Sequence, residues 1–331
     1  MLSQQMSCIE CTGFGAAEVM RLASRPIPVA GEGEVLIKVK SAGINRADLL
    51  QRQGKYPPPA GVSDILGLEV SGTIAALGTD TKRWKVGDKV CALLSGGGYA
   101  QYVAALETHC LSVPENIDLG EAAGLIEAVT TVYTNLFESS AVQKGETVLV
   151  HGGSSGIGTM AVQMLKTAGA KVFVTVSSEE KAGFCRKLGA DLEINYKQED
   201  FVEAVKKATD GRGVDIVLDM VGGSYINRNL QILAFKGRHV SIATQSGAMA
   251  EIDVRLVMHK QLALTGSTLR SRDKAEKARL IGEIEAKIWP QLTQGKIKPV
   301  IFQAFPLKNV IEAHKILESG AHRGKIILEV S

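Results

Sequence analysis

Residues 152–158 read Gly-Gly-Ser-Ser-Gly-Ile-Gly and follow directly on Thr147–His151, a short apolar run of strand type. Residues this small let a chain turn sharply and bring its backbone against a ligand. The helix that follows such a turn points unpaired N–H groups and the positive end of its dipole outward. The chemistry served is the cradling of a diphosphate. In the Gly-x-Gly-x-x-Gly spacing of dinucleotide sites, Gly153 takes the tight-turn position and Gly158 the helix-packing position. Ser155 replaces the middle glycine and offers phosphate a hydroxyl, while Ser154, Gly156 and Ile157 complete the cradle. The next strand, Lys171–Val176, ends at Ser177 and Ser178, with Lys181 one helical turn beyond. An enzyme using NADH places Asp or Glu there to bond the ribose 2′-hydroxyl. Two hydroxyls and an ammonium suit a phosphate monoester instead, so the expected cofactor is NADPH. Glu179 and Glu180 weaken that argument and are read as acids favoured at a helix start.

The elements that position these residues alternate strand and helix. After the strand–turn–helix–strand unit come helix 179–188, strand 192–196, helix 200–209, strand 214–221, helix 225–233, and strands 238–243 and 262–268. Such alternation means a doubly wound parallel sheet. Ahead of it, strands are expected near Ile9 and over 18–23, 34–40, 66–77, 88–94 and 99–104, with one short helix at 45–53. That part is mostly β and barrel-like. A helix is expected throughout 119–140. The tail reads helix 276–292, strand 300–305, helix 309–317 and strand 325–330. The same glycines also fit the Gly-x-x-x-Gly-x-Gly spacing of short-chain dehydrogenases. That reading fails, because about half the chain precedes the turn and no Tyr has a Lys four residues on.

At 331 residues, 45% hydrophobic and 22% charged, the chain has the composition of a two-domain globular protein with a substantial core. A net charge of +3, with no long basic block, does not forecast nucleic acid as a partner. No apolar run reaches membrane-span length, and residues 1–6 carry no secretory signal pattern. Five scattered cysteines point to a reducing, cytoplasmic setting. Two of them, Cys8 and Cys11, have the spacing of half a zinc knuckle without a second pair, and the six histidines form no ligand grouping. His151 ends the first nucleotide strand as a structural group.

With these segments in view, the whole chain resembles the medium-chain dehydrogenase/reductase superfamily, and within it the zinc-free quinone oxidoreductases. The matching stretches are residues 43–48, 51–56, 66–72, 96–103, 152–158 and 211–223; residues 195–197 and 266–272 look most like the p53-inducible quinone oxidoreductase subgroup. The resemblance implies a GroES-like β-rich catalytic domain over 1–124, a Rossmann NADPH-binding domain over 125–268, and a C-terminal segment, 269–331, returning to the catalytic domain. Zinc alcohol dehydrogenases of this superfamily carry a ligand Cys and a ligand His where this chain has Asn45 and Leu68, so no metal is expected. The resemblance places Asn45, Tyr56 and Thr130 at the nicotinamide, as catalytic and cofactor-binding residues. It places Tyr196 on the 2′-phosphate, and Ala243, Ser267 and Leu269 against the cofactor. Each of the first three also has a plain structural reading: Asn45 as a helix cap, Tyr56 as anchor of the proline loop 57–59, Thr130 as helix packing. Glu69 reads either as a paired structural carboxylate or as a general acid. Arg270 and Arg272 are either surface charges or residues close to the nicotinamide, where the resembling subgroup has them.

Without a Lewis acid, the chemistry left is hydride transfer to an acceptor that is already electron-poor. Quinones fit this first, giving an NADPH-dependent quinone reductase. Enones and enoyl thioesters are the alternative, and a non-catalytic NADPH-binding protein of crystallin-like or RNA-binding type is the alternative of another class. The apolar strand 262–268 should not stay uncovered, and a homodimer is expected.

Overall fold

The computed structural model describes residues 4–330. It divides into two units, one made of residues 1–130 and 270–331, the other of residues 131–269.

In the first unit, β1 (Gln5–Cys11) and β2 (Met20–Pro26) form an antiparallel hairpin. The main sheet is built on β3 (Glu34–Gly43), whose alternating apolar residues are buried. Helix α1 (Arg46–Arg52) follows it, and then come β4 (Glu69–Leu77), β5 (Lys89–Leu93), β6 (Tyr102–Leu106) and β7 (Cys110–Ser112). The sequence places strand 66–77 three residues early, and it misses β7, which is only three residues long. The helix expected throughout 119–140 is three pieces: a 3₁₀ turn at Glu121–Gly124, α2 (Ile126–Val132), and a wider π turn at Tyr133–Ser139. Gly120 and Gly124 weaken the first stretch, and in the last the Ser140 N–H donates to the carbonyl of Asn135, five residues back.

The second unit carries β8 (Thr147–His151), α3 (Gly156–Thr167), β9 (Lys171–Val176), α4 (Glu179–Lys187), β10 (Leu192–Asn195), α5 (Phe201–Ala208), β11 (Val214–Asp219), α6 (Tyr225–Ile232), β12 (Leu233–Ser241), α7 (Val254–Lys260) and β13 (Ala263–Gly266). All six strands are parallel, in the order β10-β9-β8-β11-β12-β13. This is the doubly wound sheet expected, and the strand order reverses beside β8, where such sheets bind ligands. The sequence reading missed α7, which buries no residue and so shows no apolar stripe to find. Strand β12 starts at Leu233, five residues before its expected start.

The chain then re-enters the first unit with α8 (Lys274–Lys287), α9 (Trp289–Thr293), β14 (Ile301–Pro306), α10 (Val310–Ser319) and β15 (Lys325–Glu329). The single helix expected over 276–292 breaks at Ile288, because Pro290 in the first turn of α9 has no N–H to continue the ladder. Strand β15 pairs antiparallel with β3 and parallel with β14, adding the C-terminus to the main sheet. Among the described residues no helix is long and apolar enough to cross a membrane.

Candidate active site

In the second unit the glycine turn leaves β8, every residue of which is buried. Gly152 has φ +69°, open to glycine at little cost. A Cβ on Gly153 would lie 2.5 Å from Val174 Cβ, and one on Gly158 2.3 Å from the Gly152 carbonyl oxygen, so chain packing alone forbids larger residues at both places. Ser155 is the N-cap of α3: its Oγ accepts from the Gly158 N–H at 3.0 Å. That bond uses one lone pair, and the hydroxyl hydrogen, directed toward Met220 Sδ at 3.9 Å, remains a donor. The N–H groups of Gly156 and Ile157, in the first turn, have no intrahelical acceptor and form a natural phosphate seat.

Behind the turn stands a buried polar chain. Thr175 Oγ1 accepts from the Gly152 N–H at 3.2 Å and lies 3.0 Å from His151 Nδ1, while His151 Nε2 lies 2.8 Å from Asn229 Oδ1. In the consistent arrangement, Thr175 donates to Nδ1 and Nε2–H donates to Asn229. His239 Nε2 lies 3.3 Å from Asn229 Nδ2 and 3.2 Å from Asp219 Oδ2. Burial holds His151 below the ordinary histidine range, keeping the ring neutral as this chain requires. Burial pushes the Asp219 carboxyl up, but the His239 hydrogen bond, the His151 ring and the Val221 N–H outweigh it and hold it below its usual value. His151 takes its hydrogen-bond partners from β9 and α6, and the chain runs on through Asn229 to β12 and β11.

At the end of β9, Ser178 caps α4, its Oγ accepting from the Lys181 N–H at 3.3 Å. Asn195 pairs with Val176, and the Tyr196 N–H donates to the Val176 carbonyl at 3.1 Å. Tyr196 is thereby brought beside Ser177 and Ser178, and it is exposed. Ala243 follows the end of β12, and Ser267 follows β13, with its N–H on the Ser241 carbonyl at 3.1 Å and its Oγ donating to Asn135 Oδ1 at 2.9 Å. The C-terminal edge of one sheet therefore gathers the turn, the 2′-phosphate candidates, Ala243 and Ser267; Leu269 is the last residue of this unit.

In the first unit Asn45 stands at the N-cap position of α1, in a capping box with Asp48, and its side chain also reaches beyond the helix. Its Nδ2 donates to Glu69 Oε1 at 3.0 Å, and its Oδ1 accepts from Lys325 Nζ at 2.6 Å. Lys325 also donates to Glu69 Oε1 at 2.5 Å, and Glu69 Oε2 accepts from the Glu127 N–H at 3.0 Å. Glu69 is thus the paired structural carboxylate. Asp48 supplies the other arm of the box: its Oδ2 accepts from the Asn45 N–H at 2.8 Å, and its Oδ1 from the Gly67 N–H at 3.0 Å. Tyr99 Oη donates to Asp48 at 3.2 Å and meets His314 Nε2 at 3.1 Å; His314 Nδ1 faces Arg52, which pairs with Glu318. Burial pushes the Asp48 carboxyl up to about 6, against the three donors that pull it down. The sequence reading missed this network, whose members lie far apart in the chain.

Thr130 is fully buried and its hydroxyl donates to the Ile126 carbonyl at 2.6 Å, leaving its oxygen able to accept a further bond. Burial pushes the Tyr56 phenol up, opposed by the Arg270 guanidinium 5.5 Å from its ring. Arg270 is buried, not a surface charge, whereas Arg272 pairs with Glu276 at 3.0 Å.

Residues 31–115 match the family model of the alcohol dehydrogenase GroES-like domain, and residues 156–285 that of the zinc-binding dehydrogenases. The human quinone oxidoreductase is 31% identical over 326 residues, covering 98% of this chain and 97% of its own length. The crystal structure of Escherichia coli quinone oxidoreductase complexed with NADPH is similar with a TM-score of 0.89 at 31% identity, covering 98% of this chain and 100% of that one. The CurK enoyl reductase is similar with a TM-score of 0.87 at 27% identity, covering 99% and 100%. The zinc of the second model's description does not fit the donors around Asn45 and Glu69, because the buried Lys325 ammonium already stands there as the cation and would repel a second. The nicotinamide nucleotide does fit: the first-turn N–H groups of α3 would suit its diphosphate, and Ser177, Ser178, Lys181 and Tyr196 would suit a 2′-phosphate.

Proposed function

The chain belongs to the quinone oxidoreductases of the medium-chain dehydrogenase/reductase superfamily, and from that membership we propose that it is a metal-free NADPH-dependent quinone reductase. The observation that carries the cofactor choice is the end of β9, where hydroxyls, an ammonium and a phenol gather and the first acids begin the next helix. NADPH, when bound, supplies the hydride. The residues 152–158 hold its diphosphate, and Asn45, Tyr56 and Thr130 border the ring and the acceptor. Asn45 is held rigid by Glu69 and Lys325, which supports a positioning duty. The experiment is quinone-dependent oxidation of NADPH by the chelator-treated protein.

A second reading, reduction of the double bond of enones or enoyl thioesters, is favoured by the likeness to an enoyl reductase. It requires a proton donor for the second carbon, for which Tyr56 is the candidate. The non-catalytic, RNA-binding reading has no basic stripe to support it.

We further propose a homodimer formed through β13. All four of its residues are exposed at the sheet edge, with Phe235, Met258 and Leu264 among the exposed apolar side chains of this unit. Sedimentation should find a dimer, and Leu264→Lys should shift it toward monomer; a monomeric native chain would contradict this. Five free cysteines support a reducing cytoplasmic setting.

A further inference from the structure

Two cations lie buried side by side in the first unit without a carboxylate among their hydrogen-bond partners. Arg270 is 4% exposed and Lys277 3% exposed. Arg270 Nε donates to the Ser95 carbonyl at 2.7 Å and Nη1 to the Tyr56 carbonyl at 3.4 Å, while the Tyr56 ring covers the guanidinium. Lys277 Nζ donates to Ser95 Oγ at 2.6 Å and to the Arg270 carbonyl at 2.7 Å. Nearby acids are engaged elsewhere: Asp48 with Asn45, Gly67 and Tyr99, and Asp273 as the N-cap of α8. Arg270 Nη2 is buried and has no hydrogen-bond partner.

This arrangement is costly for a staple between loops. A buried ionised group without a counter-charge loses solvation that nothing replaces, and an unmade bond adds to the loss. A neutral donor would tie the same carbonyls together at less cost. What the arrangement does provide is one strong donor, fixed on two sides by backbone carbonyls, with its own main-chain carbonyl held by Lys277 and no carboxylate bonded to it. That is the form of an oxyanion-stabilising group.

We propose that Arg270 is a catalytic residue whose Nη2–H hydrogen-bonds the acceptor's carbonyl oxygen and stabilises the negative charge that this oxygen gains as the hydride arrives. The inference rests on the reading above that Tyr56 borders the acceptor. The acceptor gains a hydride from NADPH, the conjugated electron pair moves onto the far carbonyl oxygen, and a proton from water then completes the hydroquinone. An enone follows the same course through an enolate oxygen. The inference requires the half-buried Tyr56 ring, which covers the guanidinium, to move aside as the acceptor enters.

The test has a binding arm and a turnover arm. 4-Nitrophenol serves as probe in the first, because its phenolate resembles the half-reduced quinone. Wild type should bind the phenolate preferentially and lower the apparent pKa of the bound probe, read from its visible absorbance, and Arg270→Met should abolish that shift. In the second, Arg270→Met should lower quinone kcat/KM about 100-fold or more while leaving NADPH affinity within about 3-fold, and free guanidinium should restore Arg270→Ala about 10-fold. Arg270→Lys, which keeps the charge and a donor, tests for simple misfolding and should retain intermediate activity. A wild type inert toward every quinone and enone would overturn the functional reading and this inference with it. An active wild type whose Arg270→Met variant keeps its turnover and its phenolate shift would overturn the inference alone.

Discussion

Lys325 Nζ and Glu69 Oε1 lie 2.5 Å apart, both side chains buried, although 256 positions separate them in the chain. They join β15 to β4 and hold Asn45 between them. A buried pair of this kind adds little net stability over an apolar pair, but it is costly to break. Lys325→Met should destabilise the first unit by about 3–5 kcal/mol, because it leaves the Glu69 carboxylate buried and unpaired. Adding Glu69→Leu should recover a large part of that loss. Denaturant unfolding of the single and double variants measures both, and a loss under about 1 kcal/mol in the single variant would contradict the pairing.

His314 gives a pH signature. Burial, and then the nearby Arg52 charge, press its pKa down to about 3, against an ordinary value of 6.5. Below pH 6.5 the unfolded chain takes a proton that the folded chain refuses, so stability is full above that pH and is eroded as pH falls toward 3. Asp48, raised to about 6, works in the opposite sense and is present in both proteins compared. The stability advantage of wild type over His314→Gln should therefore shrink by about 1.4 kcal/mol per pH unit between pH 6 and pH 4. Parallel pH–stability curves would show that His314 titrates normally in the fold.

Tyr56 separates the two enzymatic readings. If its hydroxyl delivers the proton to an alkene carbon, Tyr56→Phe should lower enone turnover by about 100-fold, the usual scale of a lost general acid, and leave quinones nearly untouched. Steady-state rates on matched quinones and enones decide it. Equal losses on both would mean that the hydroxyl only positions the loop.

How far the sequence was readable depends on how local each signal is. The strand–turn–helix–strand unit was legible because its apolar runs and glycines are contiguous, and the packing of Gly153 on Val174 and of Gly158 on the Gly152 carbonyl explains why those two are glycine. Helix α7 was not, since it buries nothing, and the apparent helix over 119–140 hid two changes of winding. At the candidate site, residue types were legible but partners were not. Ser155, read as a phosphate ligand, also caps α3, a duty the glycine motif did not announce; Arg270 was read as surface or site, with Ser95 175 positions away as its unseen partner. Tyr99 and His314 meet across 215 positions. No periodicity reports such pairs.

The most direct measurement is the ratio of kcat/KM for NADPH and NADH with a quinone acceptor, taken on the chelator-treated wild type and on Lys181→Glu. The account predicts turnover undiminished by chelation, a preference for NADPH of about tenfold or more, and a collapse of that preference in the variant as a carboxylate meets the 2′-phosphate. Turnover that vanishes on chelation, or a wild type that prefers NADH, would contradict it.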